Sequence, residues 1–129
     1  MSPTKTRREP PDQRLPRELL AAANAAYGKL ATDVVTLDLR KVPSFTDYFL
    51  ICTGQHPRQV RAIAEAIEAA LATSGSKPAH VEGYDRSEWI LLDYFDFVVH
   101  VFSADQRRFY NLERLWGSAD RGTVPDAPA

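Results

Sequence analysis

The chain has 129 residues, enough for one domain that buries roughly two thirds of the surface its unfolded form exposes. Hydrophobic residues make up 44% and charged residues 26%, which excludes a disordered or collagen-like chain. Lysine and arginine number 16 against 17 acidic residues, and the formal net charge of −1 argues against a protein that coats nucleic acid through its phosphates. Residues 1–16 are Arg-rich, but Glu9, Asp12 and several prolines speak against an organelle transit peptide, so a flexible tail is expected. Pro16 suits a first helical position, and "RELLAAANAAYGKLA" brings Leu20, Ala23, Tyr27 and Leu30 to one side of a helix. "DVVTLDL" (33–39) and "DYFLICTG" (47–54), short and rich in β-branched or aromatic residues, predict two strands. Pro57 opens the clearest helix, in which Val60, Ile63, Ala64, Ile67 and Leu71 share a face and which ends near Gly75.

A short strand over 80–82 is expected next, followed by "EWILLDY" and "FVVHVF", whose tight link predicts a β-hairpin. Ser103 and Gln106 form the Ser-x-x-Gln pattern of a capping box, starting a third helix that runs to Gly117. Phe109, Leu112 and Trp116 would line its inner side, with Tyr110, Glu113 and Arg114 facing elsewhere. Residues 118–129 lack periodicity and are expected to fray. The sum is a single α/β domain over 17–117, with a mixed sheet of four or five strands flanked by helices.

The single cysteine, Cys52, excludes an internal disulfide and any multi-cysteine zinc site, and within "FLICTG" it reads as a small buried hydrophobe. No apolar run approaches the ~18 residues of a membrane span and no secretory signal is visible, so a soluble cytoplasmic protein is expected.

The hairpin carries the ambiguous chemistry. Alternation puts Ile90, Leu92 and Tyr94 on one side with Phe97, Val99 and Val101 of the partner strand, an apolar set throughout. The other side mixes Trp89, Leu91 and Asp93 with Asp96, Val98, His100 and Phe102. A turn centred on Tyr94 and Phe95 would set Trp89 opposite His100. Asp93 and Asp96 flank that turn without a second acidic pair, which falls short of a two-metal site. No nucleophile elbow, Walker loop, Gly-x-Gly-x-x-Gly or His-Glu-x-x-His is present, so enzyme chemistry has no anchor. Gly54 ahead of a helix N-terminus with Arg58 nearby reads as a strand-to-helix turn before it reads as an anion site. His56 and His80 fall in loops and read as surface histidines, whereas His100 reads as a hydrogen-bonded structural imidazole with Asp93 or Asp96 as its partner. Trp89 on the mixed side is either roofed by a helix or offered to a partner.

In chain order, "TDYFLICTG", "RQVRAIAEAIE", "EGY", "WILLDYFDFVVHVF" and "RRFYNLERLW" together resemble the ribosomal silencing factor, or Iojap-like, family over about residues 19–116. The resemblance implies a fold related to minimal nucleotidyltransferases without their catalytic motif, no enzymatic activity and no cofactor or metal. It also implies a translational repressor that binds the large ribosomal subunit at its fourteenth protein and keeps the small subunit from joining when nutrients are short. Trp89, Leu91, Asp93, Tyr94, His100, Tyr110 and Glu113 are the candidate contact residues on that reading. Little direct nucleic-acid contact and no membrane contact are expected, and self-association is compatible with the family. The alternatives are a nucleotide-binding enzyme, suggested by fold kinship, and a direct rRNA-binding assembly factor, suggested by the Arg-rich tail with Arg107 and Arg108. Many members carry glycine where this chain has Phe95, a position at which a tight turn favours positive φ.

Overall fold

The computed structural model describes residues 15–115 and 120–124. Helix α1 (Arg17–Gly28) leads into β1 (Thr32–Asp38) and β2 (Tyr48–Gly54), and α2 (Pro57–Ala72) then crosses to β3 (His80–Glu82), β4 (Trp89–Asp93) and β5 (Phe97–Ser103). Two short helices, α3 (Ala104–Tyr110) and α4 (Leu112–Leu115), precede a last strand, β6 (Asp120–Thr123). Among the described residues the strands form one six-stranded sheet in the order β3-β4-β5-β2-β1-β6. β2 and β5 run parallel, and the other neighbouring pairs are antiparallel. The α2 crossover lies between the two parallel strands, as a connection that returns the chain to the same direction requires.

The sixth strand corrects the expectation of four or five. Asp120–Thr123, in a stretch where the absence of periodicity predicts a fraying end, pairs with β1 from Asp38↔Asp120 to Val35↔Thr123. Main-chain donors and acceptors on the outer edge of β1 recruit it, and such pairing leaves no mark in side-chain periodicity. Val124 is buried beyond it, and its carbonyl accepts the Tyr27 hydroxyl of α1.

The main core lies between the sheet and the pair α1 and α2. All five residues of the predicted α2 stripe, Val60, Ile63, Ala64, Ile67 and Leu71, are fully buried. They meet Leu50 and Cys52 of β2, Ile90 and Leu92 of β4, and Val99 and Val101 of β5. Full burial of each large aliphatic contributes about 1.5–3 kcal/mol, so this face is the main source of stability. On α1, Ala22, Ala23 and Ala26 are fully buried, and their small side chains bring α1 close against α2. Cys52 is buried as expected, and burial pushes its thiol up to about 12.

Leu30 departs from its predicted inward stripe and is 77% exposed. Helix α1 stops at Gly28, the Ala31 amide reaches back to the Ala26 carbonyl, and Leu30 takes φ +65°. That helix-ending geometry turns the side chain outward. No helix among the described residues is long and apolar enough to cross a membrane.

Candidate functional site

The hairpin turns on Phe95 and Asp96, not on Tyr94 and Phe95. The Tyr94 amide donates to the Phe97 carbonyl at 2.9 Å, and the Phe95 amide donates to Asp93 Oδ1 at 2.8 Å. Trp89 therefore lies opposite Phe102, Leu91 opposite His100 and Asp93 opposite Val98. This is a shift of two residues from the expected register. A two-residue shift keeps every side chain on its own face, so the apolar alternation could not separate the two registers. The Asp93 carboxylate and the left-handed Phe95, at φ +82°, decide between them.

Trp89 and His100 meet diagonally across the hairpin. Trp89 Nε1 donates to His100 Nδ1 at 3.1 Å. An imidazole accepting at Nδ1 carries its proton on Nε2, and that nitrogen is buried with no partner among the described residues. The ring is wedged edge-on against Phe49, with centroids 4.5 Å apart, and burial pushes its pKa down to about 3. His100 is thus a neutral imidazole inside the sheet, and its partner is the indole, correcting the expectation of Asp93 or Asp96. Asp93 caps the turn, and Asp96 sits exposed at its tip.

A run of rings leads outward from there. Trp89 stacks on Phe102 with centroids 4.9 Å apart, Tyr110 of α3 packs on Trp89 at 4.6 Å, and Phe109 lies edge-on to Tyr110 at 5.0 Å. Trp89 is half-buried, Tyr110 is 42% exposed and Phe109 is 78% exposed. Beside this run a cleft of about 330 Å³ is lined by Gly83, Asp85, Arg86, Glu88, Trp89 and Tyr110, among others. Gly83 has φ +97°, and a β-carbon there would stand 2.0 Å from the Trp89 carbonyl oxygen, so only glycine lets the 83–88 loop fold back onto β4.

The third predicted helix is two pieces. Asn111 takes φ +44° and ends α3, which breaks the stripe assumed for Phe109, Leu112 and Trp116. Phe109 is consequently exposed, Leu112 packs against the Val35, Phe49 and Phe102 side of the sheet, and Trp116 lies outside the described residues. Asparagine, the side chain that best tolerates this conformation after glycine, was the signal in the sequence. The Ser103 cap holds: its Oγ accepts the Gln106 amide at 3.3 Å.

The candidate contact residues do not form one patch. Trp89, Leu91, Asp93 and His100 share a face, and Tyr110 reaches over it. Tyr94 is on the opposite face, stacked on Phe97 at 5.2 Å and packed against the core under α1 and α2, where burial pushes its hydroxyl up to about 12. Glu113 is nearly buried and accepts Arg107 at 2.9 Å and Arg121 at 3.0 Å. Arg107 also donates to Thr53 Oγ1 at 2.8 Å and to the Asp33 carbonyl, so this pair braces α3 to the ends of β1 and β2. Sequence reasoning missed that role for Arg107, because its partners are distant in the chain.

His56, predicted to be a loop histidine, caps α2 by accepting the Gln59 amide at Nδ1. His80 is exposed beside Glu82 on the short strand β3. At the Gly54 turn a β-carbon would stand 2.9 Å from Val60 Cγ2, so this glycine serves close strand-to-helix packing. Among the described residues no group of three or more His, Cys, Asp or Glu side chains is placed to hold a metal ion.

The family described as "Ribosomal silencing factor during starvation" matches residues 12–129. The chain belongs to the ribosomal silencing factor family. Its relatives include the ribosomal silencing factor RsfS of Bacillus subtilis, 45% identical over 78% of this chain and 86% of that one. They also include the chloroplastic protein Iojap of Zea mays, 37% identical over 82% of this chain and 46% of the other. Among solved structures, a protein from Chromobacterium violaceum superposes with a TM-score of 0.73 at 32% identity, covering 84% of this chain and 88% of that chain. One from Bacillus halodurans gives 0.72 at 39% identity, covering 82% and 96%. The silencing-factor fold is thus shared along nearly the whole described chain.

Proposed function

We propose that this chain lowers translation in the cytoplasm by binding the large ribosomal subunit at its fourteenth protein and sterically keeping the small subunit from joining when nutrients are short. Membership in the silencing-factor family carries this reading. The factor works by occlusion, without making or breaking a covalent bond. Trp89, Tyr110 and the edge of Leu91 form the anchor, and Phe109 enlarges it.

Three features support a protein partner. A half-buried tryptophan backed by Phe102 and His100 is held in one orientation, so little side-chain entropy is lost on docking. Exposed Tyr110 and Phe109 extend it as an amphipathic surface of the kind enriched where interfaces concentrate binding energy. Arg107, which an RNA-binding role would need, is already engaged by Glu113, Thr53 and the Asp33 carbonyl, and Arg108 is paired with Asp105. Asp93, His100, Tyr94 and Glu113 serve as supports that hold the anchor in place. An interface of ~800 Å² per partner is enough when a few such anchors are well packed.

Co-sedimentation with purified large subunits, followed by gradient analysis after adding small subunits, tests the reading. The expected result is retention on the large subunit and a reduced yield of joined ribosomes. Absence of retention, or retention with normal joining, would overturn it.

A further inference from the structure

Two phenylalanine rings stand in solvent at the end of the hairpin opposite Trp89. Phe95 is 80% exposed and Phe45, in the β1–β2 loop, is 74% exposed. Their loops are tied together: Thr46 Oγ1 donates to the Phe95 carbonyl at 2.9 Å, and the Asp47 amide donates to the Asp96 carbonyl at 3.1 Å. Between them is a cleft of about 270 Å³ lined by Ser44, Phe45, Thr46, Asp47, Phe95 and Asp96.

Phe95 is unfavourable twice over in the isolated chain. At φ +82° its β-carbon is strained where glycine would not be, and its ring is left in water. No buried cluster among the described residues includes Phe95 or Phe45. Hydrogen bonds from Asp93 and Thr46 hold the Phe95 backbone, but no described residue covers its ring. The charge of the cleft narrows the partner: Asp47 and Asp96 are exposed on its rim, and neither carboxylate makes a hydrogen bond or ion pair among the described residues. Arg40, a cation of the same loop, is held by Asp38 through two bonds of 2.9 and 2.7 Å and lies over the Tyr48 ring. Asp47 also feels the Arg40 charge, but two exposed carboxylates beside two rings still repel a phosphate backbone or an anionic lipid surface and attract a cation next to an apolar group.

We infer that Phe45 and Phe95, rimmed by Asp47 and Asp96, form a second docking surface that takes an apolar side chain flanked by lysine or arginine from a protein of the large ribosomal subunit. The inference rests on the proposed function. Phe95 is six positions after Trp89 along the hairpin, roughly 20 Å at the usual strand rise, so one rigid hairpin presents an anchor at each end. Two linked contacts share the affinity, and loss of one weakens binding without abolishing it.

The test compares wild type with Phe95→Gly, Phe45→Ser and the pair Asp47→Asn with Asp96→Asn, in binding to purified large subunits at two salt concentrations. Phe95→Gly raises the unfolding midpoint yet weakens binding about tenfold, as removal of an anchor ring should. Phe45→Ser weakens binding by about the same factor, with an unchanged unfolding midpoint. The double asparagine variant binds several-fold more weakly at low salt and loses part of the wild-type salt dependence. Wild-type affinity in both phenylalanine variants overturns the inference while leaving the proposed function standing; a wild type that fails to bind removes both. Tighter binding by the asparagine variant would instead assign the surface to nucleic acid. A wild type that dimerises in sedimentation velocity, with monomeric phenylalanine variants, would assign it to a second copy of the chain.

Discussion

The two faces of the sheet are built from similar aliphatic alternation but are closed differently. Under α1 and α2 the residues are apolar and sealed, with Ile63, Ile67, Ile90 and Val99 all inaccessible. On the other face, Phe49, Ile51 and Phe102 are equally buried, but a histidine sits among them, its tryptophan partner is only half covered, and the rings beyond reach water. The difference teaches where stability and recognition are separated in this fold. Two long helices can cover a sheet face fully, whereas the seven residues of α3 and the short turn after it leave the end of the hairpin as a ready surface.

Breaking the sealed face has the largest expected effect. Ile63→Ala deletes three buried carbons against β-strand aliphatics and lowers stability by about 2–5 kcal/mol, read as the urea midpoint, while the folded fraction binds large subunits as wild type does. Trp89→Ala tests the other side. It strips the Phe102 stack and leaves His100 Nδ1 without its donor, for a loss of about 1–3 kcal/mol, and it weakens ribosome binding at least tenfold. A normal affinity for that variant would move the anchor elsewhere.

The buried imidazole gives the comparison a pH axis. The unfolded chain protonates His100 as the pH drops below its ordinary 6.5, and the folded chain resists until about 3. The unfolded state thus binds the extra proton, and stability falls across that window by up to about 1.4 kcal/mol per pH unit, levelling off below about 3. Between pH 7 and pH 5, urea unfolding of wild type should lose about 1–2 kcal/mol more than unfolding of His100→Gln does. Equal losses would mean that the ring is charged or solvated in the folded state. Tyr110→Ala should have the smallest effect on stability, within about 1 kcal/mol because its ring is partly in water, while still weakening large-subunit binding about tenfold. That separation is what a ring used for docking, and not for packing, predicts.

The features legible in the sequence were those that depend on local periodicity. The α2 stripe, the two faces of the hairpin, the Ser103 cap and the burial of Cys52 follow from spacing and side-chain type alone, because each is decided within a turn or a strand. The errors arose where a local pattern had to be extended through a change of backbone conformation. Leu30 and Phe109 were assigned inward by continuing a helical period past a left-handed residue, at Leu30 itself in one case and in the other through Asn111. For the candidate site, the sequence indicated the face of Trp89 and His100 and the opposite side for Tyr94, but not the Trp89–His100 bond or the burial of Glu113 between two arginines.

Residue order alone determined the α/β class, the helix that closes the main core and the family to which this chain belongs, since all three are written in ordered runs of neighbouring side chains. Tertiary structure alone decided the hairpin register, the recruitment of β6 to the free edge of β1 and which rings remain in water. Those outcomes depend on which distant backbone or side chain arrives to satisfy a donor or cover a surface, and no local period encodes that arrival.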